Sequence, residues 1–245
     1  MTANTVYCPC DGVTLVCGDA RDVIGTMDER ARFTAADAPY KLQSGGNSGT
    51  HFTGGKLGNY ANDGKPVECD ITWDEKLAVV DAVSADQSDI IVMANASLGN
   101  IFEAYNAAMG AGLRYHNLGE WDKGAPTPNR WLMNHLEFIL YLYKGRAVAL
   151  NNKSQKQRFP FGRSNQTNHP TEKPVALMQR WCSLVGKPGD LVCDPFMGSG
   201  TTGVAAVLTG RRFYGIEKDP AFFQMACGRI DHAIERRRWT ERQAV

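Results

Sequence analysis

The sequence of 245 residues contains no long hydrophobic run: nothing approaches the roughly 20 apolar residues that cross a bilayer as a helix. Met1-Thr2-Ala3-Asn4 has no basic segment leading into an apolar one, so no secretory leader is expected. An excess of either charge is also missing. Lys and Arg total 27 against 26 Asp and Glu, for a formal charge of +1, which excludes a uniformly basic coat but not a local basic patch. The seven cysteines include no C-x-x-C pair, and Cys8-Pro9-Cys10 is too tight and isolated for a four-ligand site. Neither a metal centre nor a disulfide framework is expected, and a reduced, cytoplasmic protein is the simplest reading. Internal repeats at solenoid periods are absent. What is present is 43% hydrophobic residues and 22% charged ones, enough for a sizeable core in a length that suits one domain over 1–245.

Apolar, β-branched runs predict strands over Val13–Cys17, Arg32–Ala36, Asp89–Ala94, Leu136–Tyr143, Asp190–Cys193 and Arg212–Ile216. Helical spacing appears between them. Leu77, Val80, Asp81 and Ser84 share a face of a helix starting near Trp73. Val175, Met178, Trp181, Cys182 and Val185 share another, as do Phe223, Ala226, Cys227, Ile230 and Ala233. Strands alternating with helices predict an α/β fold: a three-layer sandwich with a mostly parallel, twisted sheet. Two stretches break that rhythm. Lys41 to Lys65 is rich in Gly, Ser and Asn, and predicts a mobile surface loop over 41–66. The span 144–168 carries Lys144, Arg146, Lys153, Lys156, Arg158 and Arg163, and no Asp or Glu occurs between Glu137 and Glu172. This is the basic patch that the balanced total conceals, with Phe159 and Phe161 inside it.

The most specific segment is Asp194-Pro195-Phe196-Met197-Gly198-Ser199-Gly200-Thr201-Thr202, between the apolar Leu191-Val192-Cys193 and the small-residue run Gly203 to Leu208. Strand, glycine turn and helix in that order let a ligand approach backbone N–H groups. Gly198 and Gly200 leave room for that approach and for positive φ. Glu217 ends the next strand, 217 − 194 = 23 residues after Asp194, where an acid holds the ribose hydroxyls of a nucleotide. No Lys follows Gly200, so the segment is not a P-loop, and no pyrophosphate context makes it a dinucleotide turn. A second device is Asp37-Ala38-Pro39-Tyr40, after the Arg32–Ala36 strand. Its carboxylate and a backbone carbonyl can both accept from an amino group while the ring stacks on the group's plane.

Taken together, Asp37 to Tyr40, His169-Pro170-Thr171-Glu172-Lys173-Pro174, Asp194 to Thr201 and Gly215-Ile216-Glu217 resemble the amino-methylating DNA methyltransferases of the permuted β class. The resemblance extends to Cys17-Gly18-Asp19-Ala20, Trp121-Asp122-Lys123 and His135-Leu136-Glu137-Phe138-Ile139-Leu140. It implies a seven-stranded, Rossmann-like sheet in permuted order and S-adenosyl-L-methionine as cofactor. It further implies methyl transfer to N6 of a flipped-out adenine in double-stranded DNA. N4 of cytosine, an RNA base or protein glutamine as acceptor, or an impaired DNA-binding protein of the same fold, stay open. Ala38 stands where the family usually has proline, which removes a fixed φ but keeps the carbonyl.

By resemblance, the catalytic residues are Asp37, Ala38, Pro39 and Tyr40. Glu217 binds the ribose hydroxyls of the cofactor, and Asp19 and Ala20 meet the adenine. Phe196 and the turn of Gly198, Ser199, Gly200 and Thr201 wrap the methionine part, and Thr171 and Lys173 lie near its carboxylate. Asp37, His169, Asp194, Pro195 and Lys218 complete the cofactor-binding set. Lys153, Lys156, Arg158 and Arg163, in a target-recognition segment over 144–168, contact phosphates. A homodimer is implied, with no membrane and no metal.

Overall fold

A computed structural model describes residues 4–39, 42–43, 66–67, 70–94, 99–127, 134–152, 155–164 and 172–243. In chain order the elements are β1 (Thr5–Cys10), β2 (Val13–Cys17), α1 (Ala20–Val23), β3 (Ala31–Ala36), β4 (Leu42–Gln43), β5 (Pro66–Val67), α2 (Trp73–Val83), β6 (Ser84–Ala94), α3 (Asn100–Gly110), β7 (Arg114–Thr127), β8 (Asn134–Lys144), β9 (Arg158–Pro160), α4 (Val175–Leu184), β10 (Leu191–Asp194), α5 (Thr201–Leu208), β11 (Arg212–Glu217) and α6 (Pro220–Gln243). One sheet runs β1-β2-β11-β10-β3-β6-β8-β7-β9. Its middle, from β2 to β6, is parallel throughout. β4 and β5 form a separate antiparallel pair. The stretch 44–65, which holds most of the expected loop, lies outside the described residues.

Both faces of the sheet are covered, so its central strands read as continuous apolar runs. Side chains alternate between two cores. Ile91 and Met93 of β6 and Ile139 and Tyr141 of β8 face α4, α5 and α6. Ile90, Val92 and Ala94, with Leu140 and Leu142, face α2 and α3. A smaller cluster joins Ala20 and Val23 of α1 to Val16, Val79 and Ile216. The expected three-layer arrangement is therefore present.

Among the described residues the sheet has nine strands where seven were expected. Six match the apolar runs; the other three are the edge or near-edge strands β1, β7 and β9, which escape an apolar-run reading for a physical reason. β1 has no buried position, with three residues exposed and three half-buried. β7 starts with exposed or half-buried side chains (Arg114, Tyr115, His116, Asn117), and β9 has three residues. Helix α2 starts where expected, at Trp73. Thr72 caps it, accepting from the Glu75 N–H while the Glu75 carboxylate accepts from Thr72 N. It ends one residue earlier than its apolar face implied, because Ser84 already begins β6.

The crossovers set the location of any site. β3 leads through α2 to β6 on one side, and β10 leads through α5 to β11 on the other. β3 and β10 are parallel neighbours, with Val192 paired to Phe33. The junction beyond their carboxyl ends is the topological switch point, where open α/β sheets hold ligands.

Phe213 is 1% exposed, and a Cβ at Gly203 would approach its ring to 2.6 Å, so α5 rests on it directly. Phe213→Ala is expected to cost about 3–5 kcal/mol in urea unfolding. A cost under about 1 kcal/mol would mean that α5 collapses onto the vacated space.

Candidate active site

Three carboxylates from neighbouring parallel strands converge at the switch point. Asp37 follows β3, Asp194 ends β10 and Glu217 ends β11. Asp194 is 2% exposed. Its Oδ2 accepts from Thr202 Oγ1 at 2.5 Å and its Oδ1 from the Phe196 N–H at 3.1 Å. Burial pushes its pKa up to about 7 against those two hydrogen bonds, and the charges of Asp37 and Glu217 push it further the same way. Glu217 Oε2 accepts from the Gly198 N–H at 2.8 Å and Oε1 from the Asp219 N–H at 2.7 Å. Burial still raises its pKa.

Asp37 meets a cation. Lys173 Nζ, whose side chain is 4% exposed, lies 2.8 Å from Asp37 Oδ2 and 3.5 Å from Glu137 Oε2. Lys123 Nζ lies 2.5 Å from the other Glu137 oxygen. Both ammonium groups stand over the Trp121 ring, at 5.3 Å for Lys123 and 5.9 Å for Lys173. The result is an alternating row, Asp37, Lys173, Glu137, Lys123. Burial raises the Asp37 pKa in spite of Lys173, and the nearby Glu137 charge adds to the rise. Burial pushes Glu137 up as well, but Lys173 and Lys123 together hold it below the usual carboxylate value.

The turn from Met197 to Thr201 is clamped from α6. Arg229 donates to Ser199 O at 2.7 Å, Ser199 Oγ at 2.8 Å and Thr201 Oγ1 at 3.3 Å. Its other nitrogen pairs with Glu172 Oε1 at 2.8 Å, on a Glu172 side chain only 1% exposed. One guanidinium thus ties the glycine turn to the residue before Lys173. Gly198 and Gly200 do take positive φ, 52° and 80°. At Gly200 the space that a side chain would need belongs to α6, since a Cβ would lie 2.8 Å from Ala226 Cβ. Helix packing therefore accounts for this glycine, where the sequence suggested an approaching ligand.

Other expected residues are distributed unevenly. Asp19 caps α1 and pairs with Arg21 at 2.7 Å and Lys218 at 3.2 Å. Lys218 also bonds Asp70. Ala20 and Pro195 are buried, and Phe196 packs against the clusters on the α2 side. Ala38 is 1% exposed and Pro39 is exposed. Tyr40, Lys153, His169 and Thr171 lie outside the described residues. In the basic stretch, Lys156 and Arg163 are exposed. Lys144 pairs with Asp81 at 2.9 Å and Arg158 with Asp122. Phe159 is 6% exposed and stacks 5.0 Å from Trp181, so it is core and not free to stack on a base. Lys123, Glu137, Glu172 and Arg229 had no assigned role in the sequence reading. A charge within an apolar strand (Glu137) or an apolar helix face (Arg229) was the available signal.

Comparisons with known proteins show the family. A family model described as DNA methylase, N6/N4 type, matches residues 32–227. The type II methyltransferase M2.DpnII of Streptococcus pneumoniae is 30% identical over 80% of this chain and 81% of its own. The chain belongs to the N6/N4 DNA methylase family, the S-adenosylmethionine-dependent DNA amino-methyltransferases. The DNA adenine methyltransferase YhdJ of Escherichia coli K12 is 48% identical over 66 residues, 27% of this chain and 22% of YhdJ. Among solved structures, the M1.HpyAVI–SAM complex has a TM-score of 0.66 at 24% identity, covering 88% of this chain and 98% of that one. The PvuII cytosine-N4-specific methyltransferase has a TM-score of 0.65 at 13% identity, covering 91% and 89%. In the chain, the strand that leads to Asp37 precedes the Asp194 strand in sequence and lies beside it in the sheet.

The raised pKa of Asp194 makes stability depend on pH with a definite sign. The folded state holds this proton more tightly than the unfolded chain. The penalty is absent below the ordinary carboxylate pKa of 3.8, grows as pH rises, and is complete above about 7. Relative to Asp194→Asn, the cofactor-free protein is expected to lose roughly 4 kcal/mol between pH 4 and pH 8. Denaturant titrations across that range measure the difference, and parallel profiles for the two proteins would contradict it.

Proposed function

We propose that this methylase transfers a methyl group from S-adenosyl-L-methionine to N6 of an adenine flipped out of double-stranded DNA. The observation that carries the reading is the Asp37 carboxylate, held at the switch point beside Asp194 and Glu217. The residues fit the cofactor on chemical grounds. Three converging carboxylates, Asp194 buried and Asp37 and Glu217 half-buried, favour a ligand bearing a sulfonium and an ammonium. Each Glu217 oxygen accepts one backbone N–H and keeps a lone pair for a ribose hydroxyl. Asp19, Ala20 and Lys218 would hold the adenosine end, and Phe196, the 198–201 turn and Lys173 the methionine end. Bound, the cofactor supplies an electrophilic methyl.

The chain does the rest. An exocyclic amino nitrogen is a poor nucleophile because its lone pair is delocalised into the ring. Asp37 and the Ala38 carbonyl accept its two N–H groups, which frees that pair and meets the charge that grows during transfer, worth roughly 3 kcal/mol per well-placed group. The methylated ammonium is acidic and sheds its proton without a strong base. Tyr40 stacks on the base, which must leave the duplex to reach the site. Adenine is favoured by the Asp in first position and by the name of YhdJ. The fold is shared with a cytosine-N4 enzyme, so N4 of cytosine is the second reading. Lys153, Lys156, Arg158 and Arg163 contact phosphates, and the reaction takes place in the cytoplasm, where the DNA is. Exposed Phe102, Tyr105 and Tyr115 form an apolar patch that a homodimer would cover; a mass of one chain at every concentration in sedimentation would reject the dimer.

Sequencing that maps modified bases in DNA from cells expressing the chain tests the acceptor. N6-methyladenine at one short motif is expected, and N4-methylcytosine would replace this reading with the second. Asp37→Ala is expected to lower transfer by roughly 10²–10³-fold; a variant as fast as the parent would remove Asp37 from the chemistry. Lys156→Ala is expected to weaken binding to all duplexes alike and to flatten its salt dependence by about one unit of slope, read from titrations at several salt concentrations.

A further inference from the structure

Lys173 stands between two carboxylates and touches them unequally. It is 2.8 Å from Asp37 Oδ2 and 3.5 Å from Glu137 Oε2. That second oxygen is buried and accepts no hydrogen bond among the described residues. A buried carboxylate oxygen without a donor is unfavourable, so the site carries a vacant acceptor within a short movement of the cation. The difference between the two contacts is 3.5 − 2.8 = 0.7 Å. Lys123 grips the other Glu137 oxygen at 2.5 Å, which fixes the carboxylate with Oε2 toward Lys173. The Trp121 ring lies beneath both ammonium groups, an electron-rich surface on which such a shift costs little.

The contact with Asp37 is the wrong one for the transfer step. An ammonium on Asp37 competes for the carboxylate that must accept from the acceptor's amino group. It also repels a nitrogen that becomes positive as the methyl arrives. We propose that Lys173 is a two-position cation, resting on Asp37 in the free enzyme and moving onto the open oxygen of Glu137 as the acceptor nitrogen binds and gains charge. Glu137 is then a positioning residue: it touches neither acceptor nor cofactor and acts by drawing Lys173 away. This rests on the reading of Asp37 as the group that accepts the amino N–H.

The test is a double-mutant cycle in the full-length enzyme, on duplex DNA carrying the mapped motif, with single-turnover transfer as the rate. Glu137→Gln keeps the shape and removes the charge. It is expected to slow transfer roughly ten- to hundredfold, with Kd for S-adenosylmethionine within about threefold of the parent and a lower melting temperature, because Lys123 and Lys173 lose a buried counter-charge. Glu137→Asp, read beside it, is expected to recover part of the rate, and it carries the test if the glutamine variant does not fold. In a Lys173→Met background, Glu137→Gln is expected to change the rate by less than about twofold, because no cation is left to draw away. Equal slowing by Glu137→Gln in both backgrounds, or a Glu137→Gln enzyme as fast as its parent, would overturn the proposal while Asp37 keeps its role. A parent enzyme that methylates no DNA base would overturn the acceptor reading, and this inference with it.

Discussion

Like charges packed at the ends of parallel strands are the constraint to which the rest of the site answers. Parallel strands deliver their carboxyl ends to one edge, and here three successive neighbours deliver an acid there. Left alone, Asp37, Asp194 and Glu217 would repel one another in a setting where water screens poorly. Each is stabilised differently. Asp194 has Thr202 and a backbone N–H, Glu217 has two backbone N–H groups, and Asp37 has the Lys173 ammonium. The compensation is incomplete, since all three keep raised pKa values. That residual strain is what a cationic ligand relieves, so the free protein is less comfortable than its complex.

Placing Lys173 against Asp37 is itself a task for the fold. Its neighbour Glu172 is locked by Arg229 from α6, and the same guanidinium holds the glycine turn. The last helix therefore coordinates two motifs that the sheet alone would leave independent. Glu137 enters from β8, antiparallel to β6 and two places away from β3 in the sheet. Its strand runs opposite to β3, so it brings an acid from within the strand to the edge where β3 ends. The row of alternating charges exists only because strands of both directions meet there.

Much of this was legible from residue order. The strand Val13–Cys17 was read to the residue, and the glycine turn between β10 and α5 was read from its composition, because burial on both faces leaves an uninterrupted apolar run. The edge strands β1 and β9 were not legible, since exposed positions can be polar without cost. Side-chain roles were less legible than elements. Phe159 sits in a basic stretch and reads as a base-stacking ring, yet Trp181, from a helix elsewhere in the chain, packs against it. Arg158 reads as a free cation in a segment without acids, yet Asp122 on the adjoining strand pairs with it.

Residue order by itself determined the alternation of strand and helix, the family, and the acids that close β10 and β11, since those depend on local pattern and on motifs of contiguous residues. Tertiary structure alone decided which charge answers which. Lys173 on Asp37, Arg229 on Glu172 and Lys123 on Glu137 are pairings across 136, 57 and 14 residues of chain. Electrostatic energy follows distance in space and burial, and neither quantity is written in the spacing of letters along a chain.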